Sequence, residues 1–191
     1  MDIKEIIDCR YKLPESSLTK ICESMERVSC PKGYNVLEIG KIERDVFFIA
    51  KGIVRAYTLV DGKEVTFWIG EEGATIVSMM GYVRDQPGYE TMELMEDSEL
   101  YVIKREVLLR LFKEDINIAN WGRRFAETEL LDAEMRVITL LLSTATERYQ
   151  DFLDTQPNLL QRLPLGCIAS YLGITQVSLS RIRAAIAKDN G

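Results

Sequence analysis

The 191 residues contain no histidine. That one absence removes the imidazole base of Ser-His-Asp and Cys-His mechanisms and the imidazole ligands of the commoner zinc sites. Cysteine is scarce too: Cys9, Cys22, Cys30 and Cys167 form no C-x-x-C pair, so reduced structural thiols are expected rather than metal ligands. No apolar run approaches the roughly 18 to 20 residues that cross a bilayer. The opening Met1-Asp2-Ile3-Lys4-Glu5 lacks the basic-then-apolar character of a signal peptide, so a cytoplasmic protein without a membrane partner is expected. The carboxylates are scattered and none stands out as a catalytic pair. No enzyme, metal or cofactor is therefore expected.

What is present is ordinary for a globular chain, with 47% hydrophobic and 28% charged residues and enough apolar material for a core. The net charge of −6 argues against a nucleic-acid partner until it is divided along the chain. From Leu159 onward Arg162, Arg181, Arg183 and Lys188 face Asp189 alone, giving +3 there and −9 elsewhere. A basic end on an acidic body is the asymmetry expected when one end meets phosphate.

Along the chain, Leu18, Ile21, Cys22 and Met25 predict a short helix within Pro14 to Arg27, with Ser16 or Ser17 as N-cap and Pro31-Lys32-Gly33 as its stop. From about Tyr34 to Ile103, short runs rich in Val, Ile, Phe, Tyr and Thr alternate with glycines, which predicts a compact antiparallel sheet or barrel. Its clearest unit is a hairpin turning at Asp61-Gly62, a dipeptide suited to positive φ. Val107, Leu108, Leu111 and Phe112 predict a helix over Lys104 to Lys113. A longer helix is expected from about Ile116, because Leu131, Met135, Ile138, Leu142, Ala145, Tyr149 and Phe152 are spaced 4-3-4-3-4-3. Such a seam suits pairing with another helix. Ile118, Trp121, Phe125 and Thr128 continue it upstream with one overwound step. Packing of the same face on the protein's own barrel is the alternative. Asp154 to Pro157 ends the helix as a linker.

The stretch IASYLGITQVSLSRIR, residues 168 to 183, has the ingredients of a helix-turn-helix. Ile168 and Leu172 lie four apart, Ala169 permits close approach, Gly173 takes the turn and Ile174 plugs the corner. Thr175 is placed to cap a second helix whose inner face is Leu179 and Ile182. Outside that helix lie Gln176, Val177, Ser178, Ser180, Arg181 and Arg183, with no acid among them. Gln can pair with adenine and Arg with guanine, Val177 can touch a thymine methyl, and Ser or Arg can hold phosphates. An ordinary two-helix corner with a solvated outer face is the bland alternative.

Nearly the whole chain resembles the Crp/Fnr family of bacterial transcription regulators. The resemblance is carried by FFIAKGIVRAYTLVDGKEVTFWIGEEG, the heptad helix and IASYLGITQVSLSRIR. It implies an α+β protein: an N-terminal antiparallel β-roll of the double-stranded β-helix or jelly-roll type over 1–115, a cyclic-nucleotide-binding-like sensor. A dimerisation helix over 116–153 and an all-α helix-turn-helix domain over 154–191 would follow. It also implies a homodimer on a palindromic double-stranded DNA operator, with RNA polymerase as a further partner. Thr175, Gln176, Val177, Ser178, Ser180, Arg181 and Arg183 would form the DNA-binding set, with Gln176, Val177 and Arg181 reading bases. Only Arg181 has the side chain of the best-known pattern, so a different target sequence is expected.

The sensor part departs from the family. Cyclic-nucleotide binders in the family share a Gly-Glu for the ribose and a downstream Arg for the cyclic phosphate. Here Val77-Ser78 falls at the Gly-Glu, Gly88 or Tyr89 falls near the Arg, and Arg84 comes a few residues early. Tight binding of cyclic AMP is therefore not expected. Another small-molecule effector would be lined by Ser78, Met79, Tyr82 and Thr91, with Arg123 and Thr128 from the long helix; a filled roll without ligand is the alternative. The family's iron-sulfur sensors use clustered cysteines, which the spread here does not match. The chain stops at Asp189-Asn190-Gly191, without the β wing many members carry, so a shallower salt dependence of DNA affinity is expected. A sensor module that does not engage DNA remains the alternative function.

Overall fold

The computed structural model describes residues 1–189; the wingless end expected at Asn190-Gly191 lies outside the described residues. The chain opens with helices α1 (Ile3–Asp8) and α2 (Glu15–Cys22), then strands β1 (Glu26–Cys30), β2 (Asn35–Leu37), β3 (Val46–Lys51), β4 (Val54–Val60), β5 (Lys63–Gly70) and β6 (Thr75–Ile76). Helix α3 (Met79–Arg84) interrupts the sheet before β7 (Thr91–Leu94) and β8 (Ser98–Ile103). Helices α4 (Arg105–Glu114), α5 (Ile116–Leu142), α6 (Ala145–Thr155), α7 (Leu159–Arg162), α8 (Leu165–Tyr171) and α9 (Gln176–Asp189) complete it.

Two four-stranded antiparallel sheets, ordered β1-β8-β3-β6 and β2-β7-β4-β5, form the expected roll. Strand periodicity explains the layering. In β3, Ile49 faces the roll interior with Leu37, Val54, Ala56, Ile76, Met92, Leu94 and Leu100, whereas Val46, Phe48 and Ala50 face the opposite way. That outer side is covered by α1, α2, α4 and the start of α5, through Ile6, Ile21, Leu111, Ile118 and Trp121. The expected hairpin is β4–β5, with Val60 opposite Lys63 and positive φ at both Asp61 and Gly62. This is the geometry of a type I′ turn.

Several expectations are corrected. The first helix region holds a helix and then a strand: α2 ends at Cys22 and β1 begins at Glu26, before Pro31. Neither Ser16 nor Ser17 caps α2; Pro14 occupies that position without a side-chain bond. Ser17 instead donates to Asp115 Oδ2 at 2.8 Å, while Asp115 Oδ1 accepts from the Asn117 N–H at the start of α5. Helix α3 lies inside what reads as continuous sheet. It fits because Gly81 runs against the Glu43 carbonyl, where a Cβ would be only 1.8 Å from the oxygen.

The helix expected over 116–153 is two. Ser143 is extended, and Thr144 starts α6 with a capping box: Thr144 Oγ1 accepts from the Glu147 N–H, and a Glu147 carboxylate oxygen accepts from the Thr144 N–H at 2.7 Å. Four orphan N–H groups at a new helix start are partly satisfied this way, which favours restarting over continuing. The seam accordingly divides into three. Ile118 and Trp121 pack on the roll, Tyr149 and Phe152 pack with α7, α8 and α9, and Leu131, Met135, Ile138 and Leu142 are exposed. Among the described residues no helix is long and apolar enough to cross a membrane.

Candidate nucleic-acid interface

The C-terminal helices build one apolar cluster from Tyr149, Phe152, Leu159, Leu163, Cys167, Ile168, Ala169, Leu172 and Leu179, with Ile174, Ile182 and Ile186 packed against it. Gly173 has φ +68° and Thr175 Oγ1 accepts from the Ser178 N–H at 3.1 Å, so turn and cap stand where the sequence puts them. Burying Leu179 and Ile182 on one side of α9 turns Gln176, Val177, Ser180, Arg181 and Arg183 outward, Val177 with 61% of its surface exposed. Ser178 is half-buried beside Thr175, their hydroxyl oxygens 2.9 Å apart. Ser180 Oγ donates to the Gln176 carbonyl at 3.0 Å. Among the described residues no carboxylate pairs with Arg181 or Arg183.

This helical end sits on the roll. Ile53 and Ile69 of the roll are buried within the same apolar cluster, and the Thr66 N–H donates to Ser170 Oγ at 2.8 Å. Arg162 at the end of α7 donates to both Glu72 oxygens, at 3.1 and 2.8 Å, and also to Glu96. Glu72 further accepts from the Gly52 N–H at 2.9 Å. Burial alone would raise the Glu72 carboxyl, but the hydrogen bonds from Arg162 and from backbone N–H groups prevail and hold it at about 2. Arg162 counts only as a basic residue in the sequence pattern; nothing local signals partners ninety residues away.

The six residues expected around an effector lie in different surroundings. Ser78 is buried and caps α3, its Oγ accepting from the Gly81 N–H at 3.4 Å. Thr91 is buried and its Oγ1 accepts from the Ile39 N–H at 3.2 Å. Met79 is exposed, and Tyr82 packs towards the α4–α5 side with Arg105 over its ring at 5.7 Å. On α5, Arg123 pairs with Glu127 and Thr128 bonds back to the Arg124 carbonyl. A residue the sequence reading missed lies at this place. Glu90 is only 3% exposed, and its carboxylate accepts from the Tyr89 N–H at 2.9 Å. A Cβ at Gly88 would lie 2.9 Å from Ser78 Oγ and 3.4 Å from each Glu90 oxygen, so no longer side chain fits there unchanged. Arg84 is exposed at the last turn of α3.

Residues 27–115 match the family model described as cyclic nucleotide-binding domain. Among solved structures, FixK2 from Bradyrhizobium japonicum aligns with a TM-score of 0.75 at 22% identity, over 87% of this chain and 86% of that one. The catabolite activator protein of Thermus thermophilus aligns at 0.59 and 21% identity, over 94% and 86%. The c-di-GMP responsive global regulator CLP of Xanthomonas campestris aligns at 0.67 and 15% identity, covering 93% of each chain. The chain has the Crp/Fnr fold. No curated protein matches the sequence. Within the Crp/Fnr fold, the cyclic nucleotide-binding domain here is the roll of the two sheets, and α8 and α9 form the helical end that rests on it.

The clasp between Arg162 and Glu72 depends on Glu72 staying ionised. Its carboxyl is held below the ordinary 4.5, so the stabilisation is complete above that value and is lost as pH falls through about 2. Partial exposure reduces the effect to about 2 kcal/mol or less. Thermal unfolding followed between pH 6 and pH 2 should show Arg162→Gln less stable than the wild type at pH 6, with the gap closing at the acid end.

Proposed function

We propose that the chain is a sequence-specific DNA-binding transcription regulator of the Crp/Fnr type, acting as a homodimer, with an effector other than cyclic AMP or with none. The observation that carries this reading is the outer face of α9, where Gln176, Val177, Ser180, Arg181 and Arg183 are exposed with no acid paired to the arginines among the described residues. Its helix can enter a major groove, with Gln176, Val177 and Arg181 at base edges and Thr175, Ser178, Ser180 and Arg183 near phosphates. The neighbours of the same fold include an activator and a global regulator, which supports the class.

Dimerisation is supported by the exposed side of α5. Leu131, Met135, Ile138 and Leu142 share the heptad seam, and Leu141 and Leu142 are 76% and 79% exposed. A second copy of the same helix presents the same stripe, so a two-fold axis along α5 would cover both. Two α9 helices related by that axis would meet successive major grooves about 34 Å apart. The partners on this reading are palindromic double-stranded DNA, a second copy and RNA polymerase, all met in the cytoplasm.

Cyclic AMP is a poor effector for this roll because Gly88 and Tyr89, rather than a cation, stand where the family's phosphate-binding Arg falls, and Arg84 is exposed at the end of α3. Burying a phosphate anion without a cation costs several kcal/mol. Calorimetric titration with cyclic AMP should give no saturable heat in the micromolar range, and micromolar or tighter affinity would contradict this. The DNA reading is tested by selection from a random duplex library at low salt, wild type against Arg181→Ala. A palindromic motif that is lost or relaxed in the variant is expected. Failure of the wild type to enrich any motif would favour the sensor without DNA.

A further inference from the structure

The seven-residue helix α8 ends in a turn that uses the carbonyls of Ile168, Ala169 and Ser170, which accept from the N–H groups of Leu172, Ile174 and Gly173. Tyr171 and Leu172 therefore keep carbonyls with no backbone partner at the negative end of the helix. Two arginines take them, one from each side of the α5–α6 break. Arg136 of α5 donates from Nη2 to the Tyr171 carbonyl, and its guanidinium lies over the Tyr171 ring, 3.7 Å from the centroid. Arg148 of α6 donates from Nε to the Leu172 carbonyl at 2.9 Å and from Nη1 to the Ser143 carbonyl in the break itself. Leu140 of α5 also approaches the turn, 3.6 Å from where a Gly173 Cβ would stand.

This is an expensive way to hold a helix end. Arg136 has no carboxylate partner among the described residues, and its Nε is buried with no hydrogen-bond partner. Burial pulls its pKa down, and the neighbouring Arg148 pulls the same way. The desolvation of this guanidinium offsets most of what its hydrogen bond and stacking contribute, so its net contribution to stability is small. What it does supply is direction: a planar group stacked on one ring and bonded to one carbonyl permits a single orientation of α8 on α5.

We propose that Arg136, with Arg148 as its counterpart across the break, is a positioning residue that sets the angle of α8 and α9 to α5 and thereby the separation of the two reading helices in the dimer. This rests on the DNA-binding, dimeric reading above. Half-site spacing, rather than half-site sequence, is the property it controls, because neither arginine lies on the outer face of α9.

The test uses full-length protein and a set of duplexes carrying the selected half-sites at the selected spacing and at one base pair more or less. Arg136→Met keeps the aliphatic packing and removes the guanidinium, while Arg136→Lys keeps the charge without the planar stack. Both should retain the wild-type half-site sequence and a melting temperature within a few degrees of that of the wild type. Their preference for the best spacing should fall about tenfold, equivalent to about 1.4 kcal/mol. Amide hydrogen exchange over residues 143–146 and 171–175 should quicken in the variants without DNA. Unchanged spacing preference and unchanged exchange would overturn the positioning role and leave the DNA reading intact. A wild type that binds no duplex would remove the DNA reading itself, and a variant that melts well below the wild type would show a packing role instead.

Discussion

One stripe of apolar surface organises the molecule. Between Leu130 and Leu142, helix α5 leaves the roll behind and leaves leucine, methionine, valine and isoleucine side chains largely exposed among the described residues. Apolar surface of that extent is costly to leave in water and marks an interaction site. On the dimeric reading proposed above, a second α5 is the partner whose pattern fits it, and the rest of the arrangement follows from that pairing. The end of α5 fixes where α6 begins, the arginines around the break fix how α8 sits, and α8 fixes the direction in which α9 offers its polar side.

The C-terminal helical end is held at two places of different character. Towards the roll it has a buried apolar seam through Ile53 and Ile69 and a charged clasp from Arg162 to Glu72 and Glu96. Towards α5 it has guanidinium-to-carbonyl bonds and little apolar contact. The first hold supplies affinity between the parts and the second supplies orientation. A change in roll packing would thus reach the C-terminal helices through the β4–β5 hairpin and the loops bearing Glu72 and Glu96, which on the proposed function is a physical route from the roll to the outer face of α9. Inside the roll, Ser78, Thr91 and Glu90 are already engaged by local backbone groups, so a ligand there would have to displace those bonds.

Much of this is written in local pattern. Asp61-Gly62 announces its turn because only a few dipeptides accept positive φ twice, and Gly173, Thr175 and Leu179 mark turn, cap and inner face through spacing alone. The α5–α6 break was equally local, in Thr144-x-x-Glu147, but the heptad spacing runs through it and hides it. Periodicity records which side of a helix is apolar without recording what covers it: Trp121, Leu142 and Phe152 belong to one seam and to three different environments. The clasp of Arg162 and the grip of Arg136 join residues far apart in sequence, and Glu90 becomes meaningful only once Gly88 and Ser78 are beside it. None of these has a local signature, since each depends on the fold bringing distant groups together.

The central claim is that α5 pairs with a second α5, and sedimentation equilibrium at micromolar concentration tests it most directly. The wild type should sediment at twice the chain mass of 21.8 kDa, and Ile138→Glu, which places a charge in the middle of the shared stripe, should shift it towards the single-chain mass. A wild type that remains at the single-chain mass throughout that range would contradict the account.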